Sequence, residues 1–185
     1  MIKPPRLSIT NLSNEGGVVC VSFKVLKQQS QRSSIYIFIT ATMPRWTFEL
    51  APNTLTKEEK RTIAEKVTDL YVNRGVPAFF INVFFHENGE GNFYSGGKTP
   101  PDAVFFHIDH AIRKLPDENE RNRFISEANA IVRPIFDPKG IKWESNIYEH
   151  PRENWRINGM IPPVKHPEIY KQWFDKNEAI YYEGA

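Results

Sequence analysis

Hydrophobic and polar positions after residue 43 form two similar patterns, each predicting a strand, a helix and a second strand. In the first, residues 45–50 alternate between polar and apolar, which is typical of a half-buried strand. A capping box at 56–59 then begins a helix with one apolar stripe, formed by Ile63, Val67, Leu70 and Tyr71. Residues 80–85 are apolar at nearly every position, which predicts a central strand covered on both faces.

The second pattern follows a polar, glycine-rich loop at 87–101. It predicts a strand at 103–108, a helix that opens at 115–117, and a strand at 141–148. Pro134 should kink or shorten this helix, whose buried face is expected to hold Phe124, Ala128, Ile131, Val132 and Ile135. We therefore predict an α/β (α+β) fold in which tandem βαβ units form a four-stranded sheet with both helices on one face.

The opposite face of this sheet is expected to carry Phe80, Phe84 and Phe105, so we predict an oligomer that covers it. Residues 1–43 lack a persistent pattern, and we interpret them as a disordered leader or as a mis-set start with translation beginning at Met43. The β-branched runs of this leader disfavour a targeting peptide. The predicted domain then spans residues 44–163, and residues 164–185 form a C-terminal tail with a short helix at 168–177.

Composition and charge exclude several classes of protein. The 185 residues are 40% hydrophobic and 25% charged, and no apolar run is long enough to span a membrane. The leader carries a net charge of +4 and the remaining residues −2, so a nucleic-acid interface on the folded part is disfavoured. The single cysteine, Cys20, excludes an internal disulfide and favours a reducing compartment, the cytoplasm.

Cofactor and metal sites find little support in the sequence. A phosphate loop at 97–99 fails because its first glycine is missing at the required spacing. His86, His107 and Asp109 are too scattered for a convincing metal site. We therefore predict no cofactor and no metal, and no motif indicates a nucleophilic serine or cysteine.

A family resemblance supplies a chemistry. The motifs that carry it are Met43-Pro44 before an alternating strand, the helix start Leu55-Thr56-x-Glu58-x-Lys60, residues 91–97, the strand at 104–107 and Trp143. In these motifs the chain resembles the tautomerase superfamily. The chain is most similar to the fused-repeat branch that includes cis-3-chloroacrylic acid dehalogenase and its fungal relatives, over about residues 43–163. The resemblance implies removal of the initiator methionine, a reactive amino-terminal proline and a homotrimer.

The importance of an amino-terminal proline follows from its nitrogen. A free secondary amine has a pKa of about 8, and desolvation with neighbouring cations lowers it toward neutrality, so the amine can act as a base. An internal proline has only an amide nitrogen, which neither takes up a proton usefully nor attacks carbon. The predicted chemistry therefore requires Pro44 to begin the mature chain.

The other site residues are carried over from the resemblance. Tyr71 stands where the dehalogenases have a histidine, and Arg113, with Lys114 as a weaker second, stands where the family has two arginines that clamp a substrate carboxylate. Asn146 and Ile157 stand where the family has its water-activating tyrosine and glutamate. Structural alternatives are a surface ion pair of Arg113 with Asp117 or Glu118, and a core position for Tyr71.

These substitutions decide between activities. Without the histidine and the glutamate, hydrolytic dehalogenation or hydration of an unsaturated acid is disfavoured, whereas keto–enol transfer needs only a proton shuttle and a cation. We therefore predict an isomerase acting on a small enolisable keto acid or unsaturated carboxylate. Pro44 is its base and acid, Tyr71 and Asn146 donate hydrogen bonds, and the substrate is bound by Arg113, Lys114, His110, Trp155 and Asn158. A non-catalytic oligomeric binding module is the remaining alternative.

Overall fold

The computed structural model describes residues 44–100, 102–111 and 115–184; the predicted leader lies outside them. Four strands and three helices follow one another in these ranges, joined by short 3₁₀ turns at 78–80, 137–139 and 152–154. In chain order they are β1 (Arg45–Leu50), α1 (Lys57–Val72), β2 (Asn82–Glu87), β3 (Ala103–His110), α2 (Glu118–Phe136), β4 (Lys142–Glu149) and α3 (Pro167–Lys176).

The strands form one four-stranded sheet in the order β2-β1-β3-β4. β1 pairs with β2 and β3 pairs with β4 in parallel, while β1 and β3 are antiparallel neighbours at the centre. The tandem βαβ prediction is thus confirmed. The prediction of a central strand at 80–85 is wrong, because β2 begins at Asn82 and occupies an edge of the sheet.

The core lies between the sheet and the helices. Alternate residues of the central strands point into it, and Trp46, Phe48, Phe106 and Ile108 are at most 1% exposed. The rings of Phe48 and Phe106 stack at 4.9 Å between centroids. Phe80 belongs to this core and lies in the 3₁₀ turn before β2, so its predicted place on the opposite, open face is wrong.

Both long helices begin with side-chain caps, as their sequences predict. The Thr56 hydroxyl accepts a hydrogen bond from the Glu59 amide, and the Glu59 carboxylate accepts one from the Thr56 amide. In α2, the Asp117 carboxylate accepts a hydrogen bond from the amide of Glu120. α2 continues past Pro134 to Phe136, which is fully buried, whereas Ile135 is only partly buried.

α3 and the residues after it are fastened to the rest of the chain. Trp173 is fully buried, and its indole N–H donates a hydrogen bond to the carbonyl of Ile180 at 2.8 Å. The Asn177 side-chain oxygen accepts a hydrogen bond from the Phe79 amide at 2.8 Å. None of the helices in the described ranges is long and apolar enough to cross a membrane.

Candidate functional site

One end of the sheet brings together the start of β1 and the ends of β3 and β4. In the register of the sheet, Arg45 faces Asp109 across the antiparallel pair, and Asp109 faces Tyr148 on the other side. Beside this row is a cavity of about 350 Å³, here called the sheet-end cavity. It is lined by Arg45, Asp109, Ala111, His150, Pro151, Asn154 and Trp155.

Pro44 lies directly before Arg45 at this end of the sheet. It is buried, and its carbonyl accepts a hydrogen bond from the Asn82 amide at 3.1 Å. This hydrogen bond continues the β1–β2 pairing by one residue. The proline is therefore held by the sheet directly before Arg45. Arg45 supplies a guanidinium on the cavity wall, whereas Pro44 itself is not among the lining residues.

A histidine–carboxylate pair forms part of the same wall. Nε2 of His150 lies 2.7 Å from Oδ1 of Asp109, and Nε2 of His107 lies 4.0 Å from the second oxygen of that carboxylate. The sequence pattern indicates His107 and Asp109 only as scattered candidate metal ligands, and it does not single out His150. The alternation of β3 puts Asp109 on the open face, but only the register brings His150 beside it.

Tyr71 and His110 come together on the helix-covered side of the sheet. Tyr71 is fully buried, and its hydroxyl accepts a hydrogen bond from the Trp46 indole N–H at 3.1 Å. Burial raises the pKa of the Tyr71 phenol, although the hydrogen bond from Trp46 opposes this rise. The Tyr71 and His110 rings lie 6.5 Å apart, and both pack against Phe124.

The remaining predicted residues are dispersed. Trp155 lines the sheet-end cavity. Asn146 is exposed on the open face, where it faces His107 in the sheet register. Asn158 is exposed in a turn with a positive φ of 49° and does not line this cavity. Arg113 and Lys114 lie outside the described residues.

The open face carries a second histidine–carboxylate pair. Nδ1 of His86 lies 2.8 Å from the Glu49 carboxylate, which also accepts a hydrogen bond from the Asn88 side chain. Burial raises the pKa of Glu49, but the hydrogen bonds from Asn88 and His86, with positive charge on His86 and His107, outweigh it and hold the pKa below its usual range. Over the part of the chain that the structure describes, no three His, Cys, Asp or Glu residues are grouped to hold a metal ion.

Solved structures share this fold. A protein from the thermophilic fungus Aspergillus fumigatus is 39% identical with a TM-score of 0.73, and the match covers 77% of this chain and 99% of that one. RhCC from Rhodococcus jostii RHA1 is 28% identical with a TM-score of 0.70, and the match covers 75% and 99% of the two chains. None of the curated proteins compared with this chain matches it.

More distant structures agree in fold alone. N1, a member of the cis-3-chloroacrylic acid dehalogenase family, is 19% identical with a TM-score of 0.53 over 71% of this chain and 90% of its own. F6 fused 4-OT, an asymmetric trimer, is 15% identical with a TM-score of 0.50 over 66% and 98% of the two chains. A family model described as "Putative oxalocrotonate tautomerase enzyme" matches residues 43–178. With most of its length matched, this chain belongs to that family of the tautomerase superfamily.

Proposed function

We propose that the protein is a tautomerase that moves a proton on a small enolisable keto acid, with Pro44 as the base and acid. The observation that carries this proposal is the sheet-end cavity, which is lined by Arg45, the residue directly after Pro44, and by the Asp109–His150 pair. The cavity wall thus supplies a permanent cation and a titratable pair, one residue along the chain from the candidate amine. Membership of the tautomerase superfamily supports the same reaction class.

In the proposed reaction, the Pro44 amine removes a proton from the carbon next to the substrate carbonyl. The C–H bond breaks, an N–H bond forms, and the electron pair moves onto the carbonyl oxygen to give an enolate. Protonation of the enolate oxygen gives the enol, and the reverse sequence returns the proton from Pro44 to carbon. A keto acid is ionised at neutral pH, so the guanidinium of Arg45 is suited to hold its carboxylate. Arg113 and Lys114 remain the predicted additional cations.

His150 and Asp109 are proposed to serve the oxygen of the enolate. With Nε2 protonated, the imidazole donates its hydrogen bond to Asp109, and Nδ1 can exchange a proton with the substrate oxygen. The Asp109 carboxylate stabilises the imidazolium that forms during this exchange. This pair therefore supplies a proton donor that Tyr71 lacks, because the Tyr71 phenol is fully buried and has a raised pKa.

The Asp109–His150 pair also favours one alternative activity. A histidine beside a carboxylate can activate water, which is the function that hydrolytic dehalogenation or hydration of an unsaturated acid requires. The exposed Asn146 side chain remains the predicted hydrogen-bond donor to the enolate in the keto–enol reaction. The ratio of keto–enol to hydration turnover on matched substrates separates the two activities.

We propose a homotrimer in the cytoplasm as the working form. The open face of the sheet and its edge strands β2 and β4 offer surfaces for association, and the related F6 fused 4-OT is a trimer. The lone cysteine fits the reducing cytoplasm. Sedimentation equilibrium of the purified protein measures the oligomeric state directly.

The first test is the amino terminus of the protein from its native source, read by intact mass and terminal sequencing. We expect the chain to begin at Pro44. Incubation with 3-bromopropiolate should then add one adduct at Pro44, and Pro44→Ala should lower kcat/KM for ketonisation of an aryl enolpyruvate at least about 100-fold. Asp109→Asn should lower it by about 10-fold to 100-fold.

Tyr148→Phe is the matched control, since Tyr148 faces Asp109 in the register but does not line the cavity. It should leave kcat/KM within about twofold of the original value. A chain that begins at Met1 would contradict the proposal and favour the non-catalytic binding module. Full activity of the Pro44→Ala protein would contradict it as well.

A further inference from the structure

A second cavity lies between the turn after β4 and the C-terminal tail. It measures about 370 Å³, within the size range of small-molecule sites. We call it the tail cavity. The 3₁₀ turn at 152–154 separates it from the sheet-end cavity: Arg152 and Glu153 line the tail cavity, whereas Asn154 lines the other.

Part of the lining of the tail cavity is apolar. Ile161, Val164 and Tyr182 contribute it; Tyr182 is 7% exposed, whereas Ile161 is 46% exposed. The Tyr182 hydroxyl donates a hydrogen bond to the Ile161 carbonyl at 2.6 Å, which joins the tail to the segment opposite. The hydrogen bond from Trp173 to Ile180 fixes the chain just before Tyr182. An apolar surface of this kind suits the body of an organic molecule.

The lining of the tail cavity has an excess of cations. Arg152, Arg156 and Lys165 line it, and Glu153 is the one carboxylate among its described lining residues. In the described ranges, none of these three cations is within ion-pair distance of a carboxylate. One guanidinium nitrogen of Arg156 donates to the carbonyls of Glu153 and Trp155 at 2.9 and 2.7 Å, which orients the group.

The other cations of the described residues differ among themselves in this respect. Lys60, Arg61, Arg74, Lys139 and Lys171 each contact a carboxylate, whereas Arg45, Lys57 and Lys66 do not within the described ranges. Guanidinium and ammonium groups that have no carboxylate partner among the described residues, beside apolar side chains, are the complement of an anion with an apolar body. Both guanidinium groups are suited to carboxylate and phosphate oxygens, and the Lys165 ammonium adds a point charge.

We propose that the tail cavity is a binding site for an organic anion with a carboxylate or phosphate head and an apolar body, held by Arg152, Arg156 and Lys165. The proposal is independent of the chemistry at Pro44. The head group interacts with the three cations, and the body contacts Ile161, Val164 and Tyr182. A neutral molecule of the same shape gains only the second set of contacts and binds more weakly.

Calorimetric titration of the full chain with three matched probes tests this site: phenyl phosphate, phenylacetate and the neutral 2-phenylethanol. We expect both anions to bind at least about 10-fold more tightly than the alcohol, because each charged hydrogen bond contributes about that factor. Their relative affinities then identify the preferred head group. Rising salt concentration should lower the affinity for the two anions and leave the affinity for the alcohol unchanged.

Variants locate the binding. Arg156→Gln and Lys165→Gln should each lower the affinity for phenyl phosphate about 10-fold. Lys165 has no hydrogen bond within the described residues, so its variant tests the site even if Arg156→Gln disturbs the turn. Lys171→Gln removes one exposed charge elsewhere and should change the affinity by less than twofold. Arg45→Gln removes the proposed carboxylate clamp of the sheet-end cavity and so reports any anion bound there, whereas the binding that Arg156→Gln and Lys165→Gln weaken should persist in it.

Four results would overturn the site. They are no heat with either anion, equal affinity for the alcohol, the same loss in Lys171→Gln as in Lys165→Gln, and a loss in Arg45→Gln alone, which would move the binding to the sheet-end cavity. The proposed tautomerase activity is measured separately through Pro44. Failure of one proposal therefore leaves the other standing.

Discussion

The two faces of the sheet use the same strands for different purposes. On the helix-covered face, Trp46, Phe48 and Phe106 stack on one another and are inaccessible to water. On the open face, Glu49 of β1, which follows Phe48, and Asp109 of β3 each contact a histidine. Adjacent residues of one strand thus serve the core and the titratable surface in turn. The alternation of a strand lets stability and chemistry be altered nearly independently.

The largest difference between the faces should come from neighbouring phenylalanines of β3. Phe106 is fully buried among three aromatic rings, whereas Phe105 points to the open face and is half-buried. Phe106→Ala should lower the free energy of unfolding by about 3 to 5 kcal/mol, since it removes the ring and leaves a cavity. Phe105→Ala should cost about 1 kcal/mol or less. Urea denaturation of both variants measures the contrast.

A concentration-dependent loss in Phe105→Ala would sharpen this comparison in another direction. It would show that the open face is covered by a second copy of the chain. Equal losses in both variants at every concentration would break the distinction between the faces.

A pair of tyrosines tests the two faces at smaller scale. Tyr71→Phe removes the acceptor of the buried Trp46 indole N–H and should cost about 1 to 3 kcal/mol of unfolding free energy. Tyr148→Phe, on a side chain 45% exposed, should change it by about 0.5 kcal/mol or less. Thermal unfolding monitored by circular dichroism compares them. Loss of turnover in Tyr71→Phe without loss of stability would contradict the structural role of this phenol.

The smallest expected effect concerns acid stability. The pKa of Glu49 lies below its ordinary value of 4.5 in the folded protein, so the ionised carboxylate stabilises the fold above that pH. This contribution is lost as the pH falls through the lower pKa of the folded state. Glu49→Gln should therefore be less stable than the original at pH 7, and the difference should vanish at low pH.

Glu144→Gln is the control for this pH dependence, because Glu144 is an exposed carboxylate on the open face of β4. It should parallel the original protein from pH 7 downward. The prediction is contradicted if Glu49→Gln remains less stable than the original protein by the same amount in strong acid. The stabilisation would then not depend on ionisation of the Glu49 carboxylate. Unfolding curves at a series of pH values give the comparison.

The sequence predicted the parts of the fold that depend on local pattern. β1 alternates strictly, and the caps at Thr56 and Asp117 begin their helices where the sequence indicates. The strand at 80–85 was misjudged because its apolar run has no alternation that separates one covered face from two. Phe80 is apolar because it fills the core beneath the tail, where Trp155 and Trp173 meet its ring edge-on.

The candidate site was only partly predictable. Pro44 follows from the family resemblance, and its place at the sheet end follows from β1. The Asp109–His150 contact depends on the register of β3 with β4, which no local pattern specifies. Tyr71 was expected either in the site or in the core, and its stripe on α1 already indicated burial. The tail cavity depends on where residues 161–166 and 182–184 meet, which the sequence leaves open.

The hydrogen bond from the Phe79 amide to the Asn177 side chain joins residues almost a hundred positions apart in the chain. This separation has a consequence for folding during translation. Phe80 obtains its neighbours Tyr170 and Trp173 only from the last part of the chain. A nascent chain that has completed both βαβ units still exposes this aromatic surface to solvent. Chaperone capture during translation should therefore persist until the third helix has emerged from the ribosome.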